Sequence, residues 1–143
     1  MVQYTDRIPF EQSYAQALGE AVYNFATAGW MIVYLGSLID TNFLSRAGVL
    51  DFEKIAQDFT LLSEVGKYPE FVEIAKRFSL AVARRQDLEQ SVPITAYGGV
   101  QELDGSEDSK DYQWTEDNVV SFAKDLETLD IDANALYYKL KGA

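Results

Sequence analysis

Apolar side chains recur at helical spacing along most of this chain. Tyr14, Leu18, Ala21, Phe25, Ala28, Ile32, Leu35 and Ile39 follow one another at alternating steps of four and three, which lines one face of an α-helix. The spacing predicts a first helix over about 10–40, after an arm over 1–9. A second stripe runs beside the first, through Gly19, Val22, Ala26, Gly29, Val33 and Gly36. Each glycine in a helix costs about 1 kcal/mol relative to alanine, a cost that close packing of another helix can offset. A helix apolar on two adjacent faces is expected at the centre of a bundle or in a dimer interface.

The same period predicts three more helices. Phe52, Ile55, Phe59 and Leu62 mark one over 51–65, with Asp51 as its N-cap and Gly66 at its end. Pro69 suits the first turn of another over 69–92. Its stripe is Phe71, Ile74, Phe78, Ala81, Leu88 and Val92, with Arg85 on the step between Ala81 and Leu88. Pro93 breaks that helix. Ile94–Ala96 and Val100–Leu103 flank Tyr97-Gly98-Gly99, a short hairpin or irregular loop within 93–114. At the start of the last helix Thr115 is the N-cap, Glu116 and Asp117 suit the positive helix end, and Trp114 can staple onto Val119. Val119, Phe122, Leu126, Leu129, Ala133, Leu136 and Leu140 carry it over 115–140. The expected fold class is all-α: one domain over 1–143, a four-helix bundle with a short hairpin or loop insert between the third and fourth helices.

Composition supports a packed domain and narrows the chemistry. Hydrophobic residues make up 48% of the 143 and aromatics 13%, too rich for a disordered chain. There is no histidine and no cysteine, which excludes imidazole acid/base catalysis, Ser-His and Cys-His nucleophiles and thiolate metal sites. Enzymatic activity, a cofactor and a metal site are therefore not expected, and the lack of disulfides fits a cytoplasmic protein. No signal peptide is expected either, since Asp6 and Arg7 come early and no apolar run follows a basic start.

The net charge is −11, which disfavours nucleic acids and anionic membranes as direct partners. From Gly99 to Ala143 eleven acids stand against four bases, placing −7 of the −11 in the last third. Glu102, Asp104, Glu107, Asp108, Asp111, Glu116 and Asp117 form either solvated surface or a face for a basic protein partner, as in an inhibitor or nucleic-acid mimic. The nineteen residues Ala21–Ile39 carry no charge, close to a bilayer-spanning length. Asn24, Thr27 and Ser37 interrupt them, and Glu20 and Asp40 flank them without a basic anchor. A buried core helix is the expected reading.

Arg85 is a permanent cation on an apolar stripe, and Glu89 lies one turn later in position to pair with it. Two placements are open: the stripe margin with the guanidinium in water, or a groove between helices or subunits. The run Arg84-Arg85-Gln86-Asp87-Leu88-Glu89-Gln90 resembles the signature of HEPN domains, an arginine and a polar residue followed by a histidine. Arg85 matches the arginine, Gln86 the polar position, and Gln90 stands where the histidine would be. The helix order, the turn-rich insert and the helix opening at Trp114-Thr115 look like a group of small bacterial helical proteins. The resemblance implies an all-helical, usually dimeric protein whose active relatives are metal-independent ribonucleases with the site where two motifs meet. Glutamine cannot exchange a proton near neutral pH, so what it implies here is a catalytically degenerate form. That form would be a homodimer with Arg84, Arg85, Gln86, Glu89 and Gln90 along a groove, binding or regulating in a bacterial or phage defence setting. Glu70 with Glu73, and Glu127 with Asp130, have the spacing of carboxylate metal clusters, which leaves a metal-dependent nucleotide hydrolase as a further alternative. The plainer reading of these acids is a solvated helix face.

Overall fold

Among the described residues five helices and three short strands follow one another as α1 (Gln12–Ser37), α2 (Phe43–Ala47), α3 (Phe52–Val65), α4 (Pro69–Glu89), β1 (Val92–Thr95), β2 (Gln101–Asp104), β3 (Gln113–Trp114) and α5 (Glu116–Lys141). The computed structural model describes residues 11–48, 51–66, 68–95, 101–104 and 113–142. The arm expected over 1–9 lies outside them. The body of the chain is all-α.

The stripes place the helices. Tyr14, Ala21, Phe25, Ala28, Ile32 and Leu35 of α1 are buried, as are Val119, Phe122, Leu126, Leu129, Ala133 and Leu136 of α5. The second stripe of α1 behaves differently along its length. Gly29, Val33 and Gly36 are buried, but Gly19, Val22 and Ala26 face solvent. The two buried glycines admit aromatic rings: Phe52 lies where a Cβ on Gly29 would be, and the Phe43 ring would stand 2.7 Å from a Cβ on Gly36.

Two helix ends and one additional helix differ from the sequence expectation. Helix α1 stops at Ser37 rather than near 40, because the N–H groups of Ile39 and Asp40 both turn back to the Gly36 carbonyl. Asp40 then accepts from the Asn42 N–H at 3.0 Å, and the turn leads into α2. That helix of five residues was not expected; it is too short to show a period, and it exists to seat Phe43 and Ala47 in the core. Helix α4 ends at Glu89, and Val92 pairs in a strand instead of completing the helical stripe. Both capping expectations hold: Asp51 accepts from the Lys54 N–H at 2.9 Å, and Thr115 from the Asn118 N–H at 3.1 Å.

The insert is a three-stranded antiparallel sheet in the order β1-β2-β3. Strands β1 and β2 pair from Val92↔Asp104 to Thr95↔Gln101, and β3 adds Leu103↔Trp114 and Asp104↔Gln113. Pro93 sits in an edge strand, where a missing N–H is tolerated. The pairing takes in Val92 and Pro93, ahead of the Ile94–Ala96 segment expected, and a third strand of two residues was not expected; the turn Tyr97-Gly98-Gly99 lies outside the described residues. Residues 96–100 and 105–112 lie outside the described ones.

Specific contacts give the helix directions. Tyr14 reaches the Trp114 carbonyl and Asn24 the Ala123 carbonyl, so α1 and α5 run the same way. Gly29 beside Phe52 and Ile39 beside Gly66 set α3 parallel to α1 as well. Helix α4 runs opposite, as its ion pairs with α5 show: Glu70–Lys139 at 3.4 Å, Arg77–Asp132 at 2.8 Å and Arg84–Asp125 at 2.8 Å. These pairs recur every seven residues on both helices, so antiparallel rods keep meeting on the same seam. Two groups of aromatic contacts lie in the core: Phe25 with Phe78 at 6.0 Å and with Phe52 at 5.0 Å, and Phe59 with Phe43 at 6.3 Å and with Phe71 at 5.8 Å. Among the described residues no helix is long and apolar enough to cross a membrane.

Candidate functional site

The last turns of α4 carry the motif residues, and successive helix positions point about 100° apart. Four consecutive side chains therefore reach different neighbours. Arg84 pairs with Asp125 of α5, its guanidinium 4.7 Å from the Phe122 ring centre and 5.9 Å from Trp114. Arg85 turns toward α1 and α3, with its guanidinium 4.6 Å from the Phe25 ring centre and 5.6 Å from Phe52. It pairs with Glu89 at 2.8 Å. Gln86 donates to Glu53 of α3 at 3.2 Å. Asp87 accepts the indole N–H of Trp114 at 2.9 Å.

Arg85 thus takes the marginal placement: a partly exposed head stacked on two rings and tied to Glu89. Gln90 closes the helix, its N–H donating to the Gln86 carbonyl at 3.0 Å while its side chain lies in solvent. The structure brings Arg84, Arg85, Gln86 and Asp87 against the core and leaves Glu89 and Gln90 on its outside.

The sequence reading gives Trp114 only as a staple onto Val119 and Asp87 only as a member of the motif run, and counts neither among the site residues. Trp114 is buried, packs on Phe122 with ring centres 5.5 Å apart, and gives its carbonyl to the Tyr14 hydroxyl. One residue thereby joins α1, α4, the sheet and α5. The signal for this was partial: tryptophan before an N-cap suggests a staple, but the partner across α4 has no sequence mark.

Two clefts open on the helix seams. Between α4 and α5 a space of ≈ 210 Å³ lies between the Arg77–Asp132 and Arg84–Asp125 pairs, floored by Ala81, Phe122 and Leu129. Between α3 and α4 a groove of ≈ 480 Å³ runs past Ala56, Thr60, Val82 and Ala83. It continues into ≈ 290 Å³ lined by Ser63, Val72 and Ala75, the two parts sharing Thr60 and Ser79.

The acidic candidates among the described residues lie on β2 and at the start of α5. Glu116 and Asp117 occupy the first turn of α5, where Glu116 also accepts from the Ser13 hydroxyl at 2.7 Å. Glu102 and Asp104 lie in β2, and Glu107, Asp108 and Asp111 lie outside the described residues. The Glu70 carboxyl is held below the usual range by its own backbone N–H and, after it, by the Lys139 ammonium. Glu73 faces solvent. Burial pushes the Asp130 carboxyl up. The Arg46 guanidinium, which donates to Asp40 at 2.7 Å, holds that carboxyl down and is itself raised by the pairing. Among the described residues no group of three or more acids comes together in a way that could hold a metal ion.

Comparison of this chain with protein-family models, with curated proteins and with solved structures finds no match.

Proposed function

We propose that this chain is a non-enzymatic binding protein that regulates by association. In this reading it is a four-helix bundle resembling a HEPN domain without its histidine, working as a homodimer. The observation that supports it most is how the motif residues are used. Arg84, Arg85, Gln86 and Asp87 direct their side chains to α5, to α1 and α3, to Glu53 and to Trp114, which holds the fold together at that end. Phosphodiester cleavage needs a group that takes a proton and one that gives it back. A guanidinium held by Glu89, beside an amide, supplies neither.

The test pairs two measurements on the intact protein. A labelled single-stranded RNA incubated with it should remain uncut, and sedimentation should give twice the chain mass. RNA cleavage that disappears in Arg85→Ala would replace this reading with an enzymatic one. A monomer at every concentration would remove the homodimer.

A further inference from the structure

The solvent side of α1 is the least ordinary surface of the molecule. A helix on the outside of an acidic protein normally carries charge on its open face. Here Ala21–Ile39 carries none on any face. The open side shows Val22 at 61% exposure, Tyr23 at 70%, Trp30 at 47% and Tyr34 at 46%. Tyr23, Ala26, Trp30, Tyr34 and Ser37 succeed one another at steps of three and four, so they form one stripe along the helix. Trp30 and Tyr34 already touch, with ring centres 6.5 Å apart.

We infer that this stripe is the homodimer interface, packed against α1 of a second copy in antiparallel register. The inference rests on the dimeric reading above but moves the seam: it lies on the open side of α1, not along the Arg84–Gln90 turns where the resemblance would put it, since Arg85 stacks on the buried Phe25 at the other side of that helix. Three properties favour a second copy as the occupant. The first is charge: two molecules of −11 each repel, and the stripe is a contact that brings no carboxylate of its own to the seam. A basic partner would gain nothing from it. The second is shape. A two-fold axis level with Ala28 sets Trp30 of one copy over Ala26 of the other, Tyr34 over Val22, and Gly19 over Ser37. Trp30 then meets a small residue and the two ends of the stripe pack glycine on serine, so one surface can complement itself, as an isologous interface requires. The third is area. Aromatic side chains bury about 150–250 Å² each, so three partly exposed rings with Val22 and Leu38 supply a substantial part of the ~800 Å² per partner of a standard interface.

The experiment is sedimentation of the intact protein, of Trp30→Glu and of Tyr23→Lys, with far-UV circular dichroism to confirm that each variant keeps its helices. Leu61→Glu, on the α3–α4 groove, is the control. The wild type and Leu61→Glu should be dimers. Trp30→Glu should weaken the dimer on the order of 100-fold or more, since symmetry removes the anchor twice. Tyr23→Lys carries the same test if Trp30→Glu does not fold. A dimer unmoved by both stripe variants overturns the location while leaving the dimeric reading intact. Loss of the dimer in Leu61→Glu alone moves the interface to the groove. A monomeric wild type overturns both, and a shift of Trp30 emission on zwitterionic vesicles would then assign the stripe to a lipid surface.

Discussion

Added methyl groups should act in opposite directions at the two ends of α1. A Cβ on Gly19 meets nothing within 4 Å, whereas one on Gly36 meets the buried Phe43 ring. Gly19→Ala should therefore stabilise by about 0.5–1 kcal/mol through helix propensity. Gly36→Ala should destabilise by about 1–3 kcal/mol, since displacing a packed ring outweighs that gain. Urea titrations with unchanged slopes would show both. Tyr14→Phe removes the hydroxyl that donates to the Trp114 carbonyl inside the core. It should cost about 1–2 kcal/mol in the same titration, and near-UV circular dichroism of Trp114 should change with it. At this scale the sequence was readable where chemistry is local. Asp51 and Thr115 cap helices a few residues away. The Trp114–Asp87 hydrogen bond joins residues 27 apart, and no spacing rule connects them.

Between α4 and α5 the seven-residue recurrence of Arg77 and Arg84 against Asp132 and Asp125 fixes which turns meet. These are partly exposed pairs, each worth about 0.2–1 kcal/mol. A double-mutant cycle of Arg84→Ala and Asp125→Ala should give a coupling in that range, shrinking in high salt. The exchange Arg84→Asp with Asp125→Arg should recover part of what either reversal loses. Helices of fourteen residues or more were legible because each repeats its apolar step several times. Their ends were less so: α1 and α4 both stop within one turn of the expected place, where apolar residues continue but the backbone turns away. The pairing across α4 and α5 was also open to reading, since charges of opposite sign share the seven-residue step. Taken one helix at a time, those charges look like ordinary solvated surface.

For the whole molecule, charge sets the response to pH. Asp40 and Glu70 have lowered carboxyl values, so their stabilisation is complete above the ordinary values of 3.8 and 4.5 and is lost as pH falls below them. Asp130 is raised, so its burial opposes folding at neutral pH and that penalty is relieved as pH falls toward 3.8. Protonation also reduces the repulsion within a chain of −11. Thermal melts should therefore show a maximum on the mildly acidic side of neutrality and a fall below about pH 4. Fold class was legible at this scale because periodicity and composition agreed. The motif on α4 was legible as a string of residues but not as a structural junction, because its meaning depends on Phe25, Phe52, Glu53, Trp114 and Asp125 from elsewhere in the chain. The parallel alignment of α1 with α5 has a temporal consequence. Ser13 bonds to Glu116, 103 residues later, so during synthesis the first rod waits for its main partner until α5, more than a hundred residues further on, has left the ribosome. Until then its oily sides have no permanent cover, and folding that depends on such distant closure is slow. A nascent chain halted before α5 should be held by chaperones or cut by proteases, and the finished one should not.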